Sequence, residues 1–162
     1  MQIQFQERKI YLDTCSIGRS LDNQTQDRIR RETEAIETIV DYFFTGELRW
    51  IASEILAIEI ANNPNLKMRE VIKNRLNFAH ETVLAGSAEE FRAAELEVLG
   101  FKRFDALHIA CAESGGADVL LTTDDRMLNL AKWHRTQLRV QVENPYRWLQ
   151  EMDKSQEVAR QV

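Results

Sequence analysis

Cysteine is nearly absent: Cys15 and Cys111 are the only two in 162 residues, which argues against a disulfide framework or a zinc site built on thiolates. Both lie in apolar stretches where a reduced thiol acts as a small hydrophobe, so a reducing cytoplasm is the expected compartment. Long apolar runs are also missing, and none approaches the ~20 residues of a membrane span. The polar opening from Met1 to Lys9 lacks the apolar centre of an export signal. Basic charge is not in excess either. Lys and Arg number 21 against 26 Asp and Glu, a net charge of −5, which disfavours nonspecific coating of nucleic acid but allows a local basic rim around an acidic site. Repeats, low-complexity segments and linkers are absent. With 44% hydrophobic residues, the chain can bury one substantial core, expected over residues 1–152 with a polar tail at 153–162.

What is present reads as alternating strands and helices. Lys9 to Leu12 is a short apolar run closed by Asp13, suited to a buried strand. Ile29, Ile36, Ile39, Val40 and Phe43 recur at helical spacing between Gln26 and Thr45, with Gly46 as the stop. Leu48 to Ala52 reads as a second strand, after which Ser53 is placed to cap a helix that Pro64 breaks. Asn65 caps a further helix reaching about Ala79, and Thr82 to Leu84 is a brief strand. Ser87 and Glu90 have capping-box spacing before a helix that Gly100 ends. Phe104 to Ser114 is helical, terminated by Gly115-Gly116. Val119 to Thr123 is a strand running into Asp124-Asp125, and a helix begins there. Leu138, Val140 and Val142 alternate as an outer strand, and a short helix follows Pro145. This order predicts an α/β/α sandwich with a central, mostly parallel sheet.

Any single acid among 26 is by default a solvated surface charge, so position must select the candidates. Asp13 and Asp124 each follow an apolar strand directly, and the carboxyl ends of strands in an open parallel sheet are where ligand sites form. Asp105 opens an apolar helix and Glu59 is flanked by Ile58 and Ile60, surroundings in which a charge is costly unless neutralised. Each has a plainer explanation: Asp105 complements the helix dipole, and Glu59 lies on a polar face beside Asn62 and Asn63.

Ile-Tyr-Leu-Asp-Thr-Cys-Ser at 10–16, Ser-Glu-Ile-Leu-Ala-Ile-Glu at 53–59, Phe-Asp-Ala-Leu-His-Ile-Ala at 104–110 and Leu-Leu-Thr-Thr-Asp-Asp-Arg at 120–126 resemble the four acidic motifs of PIN domains. The third and fourth are the most specific, and the resemblance spans nearly the whole chain. It implies a metal-dependent ribonuclease in which Asp13, Glu59, Asp105 and Asp124 are both the catalytic residues and the ligands of one or two Mg²⁺ or Mn²⁺ ions, since oxygen-only donors suit these hard cations. Hydrolysis would leave a 5′-phosphate and a 3′-hydroxyl. Glu54 competes with Glu59 but has less apolar flanks. Asp125 is the alternate or additional fourth acid; with Asp124 preferred, Asp125 is free to cap the following helix. Thr14, Ser16 and Thr122 would orient the carboxylates through their hydroxyls, unless they serve only local turns. His108, one turn from Asp105, reads as a core residue, and Tyr11, Trp50, Trp133 and Trp148 as packing.

Basic residues gather at Lys67, Arg69, Lys73 and Arg75, and at Arg126, Lys132, Arg135 and Arg139. Arg126 and Lys132 in the second group are the expected RNA contacts. Among PIN proteins the chain is similar to VapC-type toxins of toxin–antitoxin pairs, which implies an RNA substrate, a small antitoxin and a homodimer as partners, and no membrane. The competing readings are a catalytically silent PIN-like module that binds RNA or protein, and a phosphatase or receiver-like protein using Asp13. The latter needs a Lys at the end of a later strand, and none stands out.

Overall fold

The computed structural model describes residues 8–161; the polar opening at residues 1–7 and Val162 lie outside them. Five parallel strands form one sheet in the order β3-β2-β1-β4-β5. They are β1 (Arg8–Leu12), β2 (Leu48–Ser53), β3 (Glu81–Val83), β4 (Val119–Leu121) and β5 (Gln141–Glu143). The helices are α1 (Thr14–Ile17), α2 (Asp27–Thr45), α3 (Glu54–Ala61), α4 (Leu66–Leu76), α5 (Ser87–Val98), α6 (Arg103–Ser114), α7 (Asp125–Trp133) and α8 (Pro145–Arg160). Ile10, Tyr11 and Leu12 of β1 and all of β4 are buried, as expected of central parallel strands covered on both faces.

The alternation of side chains along β2 shows the two layers. Trp50 stacks on Phe43 of α2, with ring centroids 5.3 Å apart. Ile51 points the other way, against the end of α6, where a Cβ on Gly115 would lie 2.9 Å from Ile51 Cγ2. Tyr11 is in register with Ile51 and therefore faces α6 as well. The helix α8 packs on α2 and α5 packs on α6, which completes the sandwich.

Several local expectations are corrected. Ser53 occupies the start of α3 but does not cap it with its side chain, because its hydroxyl lies 2.6 Å from Tyr11 Oη. The box at α5 is one residue earlier than expected: Gly86 is the N-cap, and Glu89 accepts its N–H at 2.9 Å. Asp124, not Asp125, caps α7, accepting the Met127 N–H at 3.0 Å. The outer strand is confined to Gln141–Glu143, preceded by a 3-10 turn at Arg135–Gln137. The helix after Pro145 is long and runs through the expected tail to Arg160. Trp50 and Trp148 are buried, but Trp133 is 84% exposed, so packing does not account for it. Cys111 is buried as expected, whereas Cys15 is exposed.

Candidate active site

The strand order reverses between β1 and β4: the chain proceeds from β1 outward to β3, then returns to β4 and β5 on the other side. At such a switch point the connections leave in opposite directions and open a crevice at the carboxyl ends of the strands. Asp13 follows β1 and Thr122 to Asp124 follow β4 at this crevice, joined by a backbone hydrogen bond from Asp13 N–H to Leu121 C=O at 3.3 Å.

Asp13 is 3% exposed and is held as the N-cap of α1. Its Oδ1 accepts the Ser16 N–H at 2.9 Å, while the Ser16 hydroxyl donates to Leu121 C=O at 3.0 Å. Thr122 is fully buried; its hydroxyl accepts the Asp124 N–H at 3.1 Å and acts to lower the Asp13 carboxyl. Thr14 donates its hydroxyl to Glu59 Oε1. Of the three hydroxyls, that of Thr14 meets a carboxylate, that of Thr122 meets the backbone of Asp124, and that of Ser16 meets β4.

The electrostatics show which acids come together. Burial raises the Asp13 carboxyl, although Thr122, His108 and Ser16 oppose the shift. Asp105 is pushed up to about 6, first by burial, then by the charge of Asp13, with Asp124 and Glu59 adding to it. Burial also acts upward on Glu59, but the His108 ring and the Thr14 hydroxyl outweigh it and hold the group low. The Cys15 thiol is raised by Asp13 first, then by burial and by Asp124, Glu59 and Asp105. Asp13, Glu59, Asp105 and Asp124 therefore all lie near enough to act on the Cys15 thiol, and the other three act on Asp105. Asp125 is not among them. It is exposed and bound at both oxygens by Arg28, at 2.7 Å each, and that pairing lowers its carboxyl. Glu54, the competitor, accepts the Ala85 N–H at 2.6 Å.

These four acids fit a hard divalent cation in donor chemistry and in charge. Their side chains are not drawn into a ligand shell, since among the described residues no three His, Cys, Asp or Glu side chains are close enough to hold one ion.

His108 and Tyr11 are buried with partnered polar atoms, as the sequence led one to expect, and His108 also reaches a candidate acid. His108 is 1% exposed, with Nδ1 2.7 Å from Tyr11 Oη and Nε2 3.2 Å from Glu59 Oε1. A continuous hydrogen-bonded path thus runs from the buried Ser53, Tyr11 and His108 to the half-buried Glu59 and Thr14. The signal was the placement of His108 three residues after Asp105, on the same helix face.

Of the expected RNA contacts, Arg126 donates to Gly100 C=O at 3.0 Å. Lys132 lines an open groove of about 1060 Å³ between α2, α7, β5 and α8, together with Arg31, Arg135, Arg139 and Arg147. Asp125 and Arg28 also line this groove, with Asp27, Glu32 and Glu143, so it reaches to one residue from Asp124 and its lining is mixed in charge. In the first basic group, Arg75 donates to Ile17 C=O at 2.5 Å and Arg69 to Ala61 C=O at 3.4 Å. Among the described residues no helix is long and apolar enough to cross a membrane.

The family model of the PIN domain matches residues 10–132. Among solved structures, the chain is similar to one in VapBC2 from Rickettsia felis bound to a DNA fragment from its promoter, with a TM-score of 0.51 and 14% identity over 84% of this chain and 98% of that one. A chain in VapBC-1 from nontypeable Haemophilus influenzae gives a TM-score of 0.52 and 13% identity, covering 85% and 98%. No curated protein matches.

Proposed function

The chain belongs to the PIN-domain family, and from that premise we propose that it is a Mg²⁺- or Mn²⁺-dependent ribonuclease, the toxin of a toxin–antitoxin pair, whose cation is held by Asp13, Glu59, Asp105 and Asp124. The observation that carries this reading is the placing of Asp13 and Asp124 after the neighbouring strands β1 and β4, with Asp105 near enough to be pushed up to about 6 by burial first and by the charges of the other three second. A cation near Asp105 would offset the charge that the neighbouring acids place on it. A bound divalent cation supplies an acidified water and offsets charge on the phosphodiester transition state.

The chain's own residues prepare the site. Ser16 holds Asp13, Thr122 holds the backbone of Asp124, and Thr14 and His108 hold Glu59, so the carboxylates lose little freedom on receiving an ion. Lys132, Arg135 and Arg139 lead phosphates along the groove toward the acids, a sequence-independent contact. The toxin assignment draws support from the likeness to chains in VapBC structures, and a small antitoxin and a second copy of the chain are the partners it entails.

The test is cleavage of end-labelled RNA with Mg²⁺, with Mn²⁺ and with EDTA, using Asp105→Asn as control. Metal-dependent products with 5′-phosphates, absent with EDTA and in the variant, are expected. The alternative, a silent PIN module, rests on one observation: the acids are not drawn together as a ligand shell. RNA binding without cleavage in either metal selects it.

A further inference from the structure

The peptide unit that leads into Asp124 is held by side chains at both of its polar edges. Its N–H, that of Asp124, is accepted by the Thr122 hydroxyl at 3.1 Å. Its carbonyl, that of Thr123, accepts Arg28 Nη2 at 3.1 Å. A peptide unit is planar, so contacts at opposite edges fix its orientation and with it the direction in which the next residue leaves. That residue is Asp124, whose backbone is extended (φ −80°, ψ 112°) where it caps α7. Thr122 is a neighbour in the chain, whereas Arg28 comes from the first turn of α2, 95 residues away.

Arg28 is itself aimed by acids at its tip and at its base. At the tip, Asp125 accepts Nη1 and Nη2 at 2.7 Å each, the forked pairing that matches a guanidinium to a carboxylate. At the base, Glu32 lies one turn along α2 and accepts Nε at 3.4 Å. Glu32 is 2% exposed, and a buried carboxylate needs charged and polar partners. Arg19 donates to it at 3.0 and 2.8 Å, and so does the side-chain amide of Asn144, the N-cap of α8. The guanidinium thus bridges an anchored carboxylate in α2 and the turn between β4 and α7. Its side chain is 49% exposed, so these bonds contribute little to folding stability.

We propose that Arg28 is a positioning residue of the acid site: by holding Thr123 C=O it sets the backbone from which the Asp124 carboxylate projects, and so governs the affinity for a divalent cation. The inference rests on the cation reading of the four acids. It adds to that reading a residue of α2, outside the four acidic motifs. The contact that acts is the one with Thr123; Asp125 steers the guanidinium, and an Asn at 125 would retain an acceptor for it.

Calorimetric titration with Mn²⁺, run beside thermal melts in EDTA, compares the full parent chain with Arg28→Met, which keeps an apolar stem and removes the donors, and with Arg28→Lys, which keeps a donor for Thr123. Arg92→Met is the control. Arg92 forms a similar clamp, to Glu113 at 2.8 and 3.1 Å and to Gln137 C=O at 2.7 Å, on segments that carry none of the four acids. Arg28→Met should bind Mn²⁺ roughly tenfold more weakly than the parent, with Arg28→Lys between the two and Arg92→Met equal to the parent. Unchanged Mn²⁺ affinity in folded Arg28→Met overturns the proposal: a lower melting temperature alone would make the residue structural, and weaker RNA binding alone would make it a phosphate contact. An equal loss of affinity in Arg92→Met overturns it as well, since any loosened clamp would then do the same. Absence of Mn²⁺ binding in the parent chain removes the cation reading itself, and this proposal with it.

Discussion

Asp105 carries a carboxyl raised to about 6, by burial first and by its acidic neighbours second, whereas in the unfolded chain it titrates near ~3.9. The folded protein therefore holds this proton more tightly than the unfolded chain. That stabilisation is complete below about pH 4 and is lost as pH rises through about 6. Metal-free protein should melt at a higher temperature at pH 5 than at pH 7.5, Asp13 acting in the same direction because its carboxyl is also raised. Asp105→Asn should flatten this dependence and stabilise the metal-free protein at pH 7.5 by up to about 3 kcal/mol before solvent screening, while RNA cleavage disappears. Thermal melts in EDTA across this range read the first effect and the cleavage assay reads the second. Asp124 and Asp125 separate by substitution to Asn. Asn caps a helix about as well as Asp, so Asp124→Asn should change stability by less than about 0.5 kcal/mol while abolishing activity. Asp125→Asn gives up an exposed pair with Arg28, of about 1 kcal/mol or less, and should keep activity. The positions of the motif acids in the fold were legible because each adjoins an apolar strand or lies in an apolar helix. His108 was not, since a buried His on an apolar face looks the same whether its ring meets the core or Glu59.

At the scale of elements, apolar periodicity revealed the long pieces and missed those shaped by tertiary contact. The helix α2 and the strand β1 emerged at nearly their observed bounds, because burial sets their pattern. The short α1 has almost no periodicity to show; it exists because Asp13 caps it and Ile17 is buried beneath it. The box at α5 shifted by one because Gly86 rather than Ser87 is the N-cap, and its backbone N–H meets the glutamate three residues on; lacking a side chain, it makes only that half of the box. The close approach of α6 to the sheet likewise left no trace in the sequence beyond a glycine pair. A Cβ at Gly115 would come within 2.8 Å of Val83 Cγ2 and 2.9 Å of Ile51 Cγ2. Gly115→Ala should therefore force the end of α6 off β2 and β3, destabilising the protein by about 1–3 kcal/mol in urea unfolding. An unchanged midpoint would mean that the strands yield.

At the scale of the whole molecule, the sheet order creates the site by leaving β1 and β4 side by side with their acids at one edge. The class of fold followed from alternating strands and helices; the strand order did not, because single-sequence patterns carry no pairing information. The net charge of −5 also hides a groove where Lys132, Arg135 and Arg139 lie together. Replacing each of these by Glu should weaken RNA binding across sequences and flatten its salt dependence, by a slope of about 1 per lost phosphate contact. Expression of the chain in bacteria should slow growth, and its antitoxin should restore it; harmless expression of an active nuclease would remove the toxin assignment alone. The central claim is that Asp13, Glu59, Asp105 and Asp124 form a divalent cation site, and calorimetric titration with Mn²⁺ tests it most directly. Saturable binding should occur in the parent chain and in Asp125→Asn, and be lost in Asp13→Asn, Asp105→Asn and Asp124→Asn. Equal Mn²⁺ affinity in the parent chain and in folded Asp13→Asn and Asp105→Asn would contradict the account.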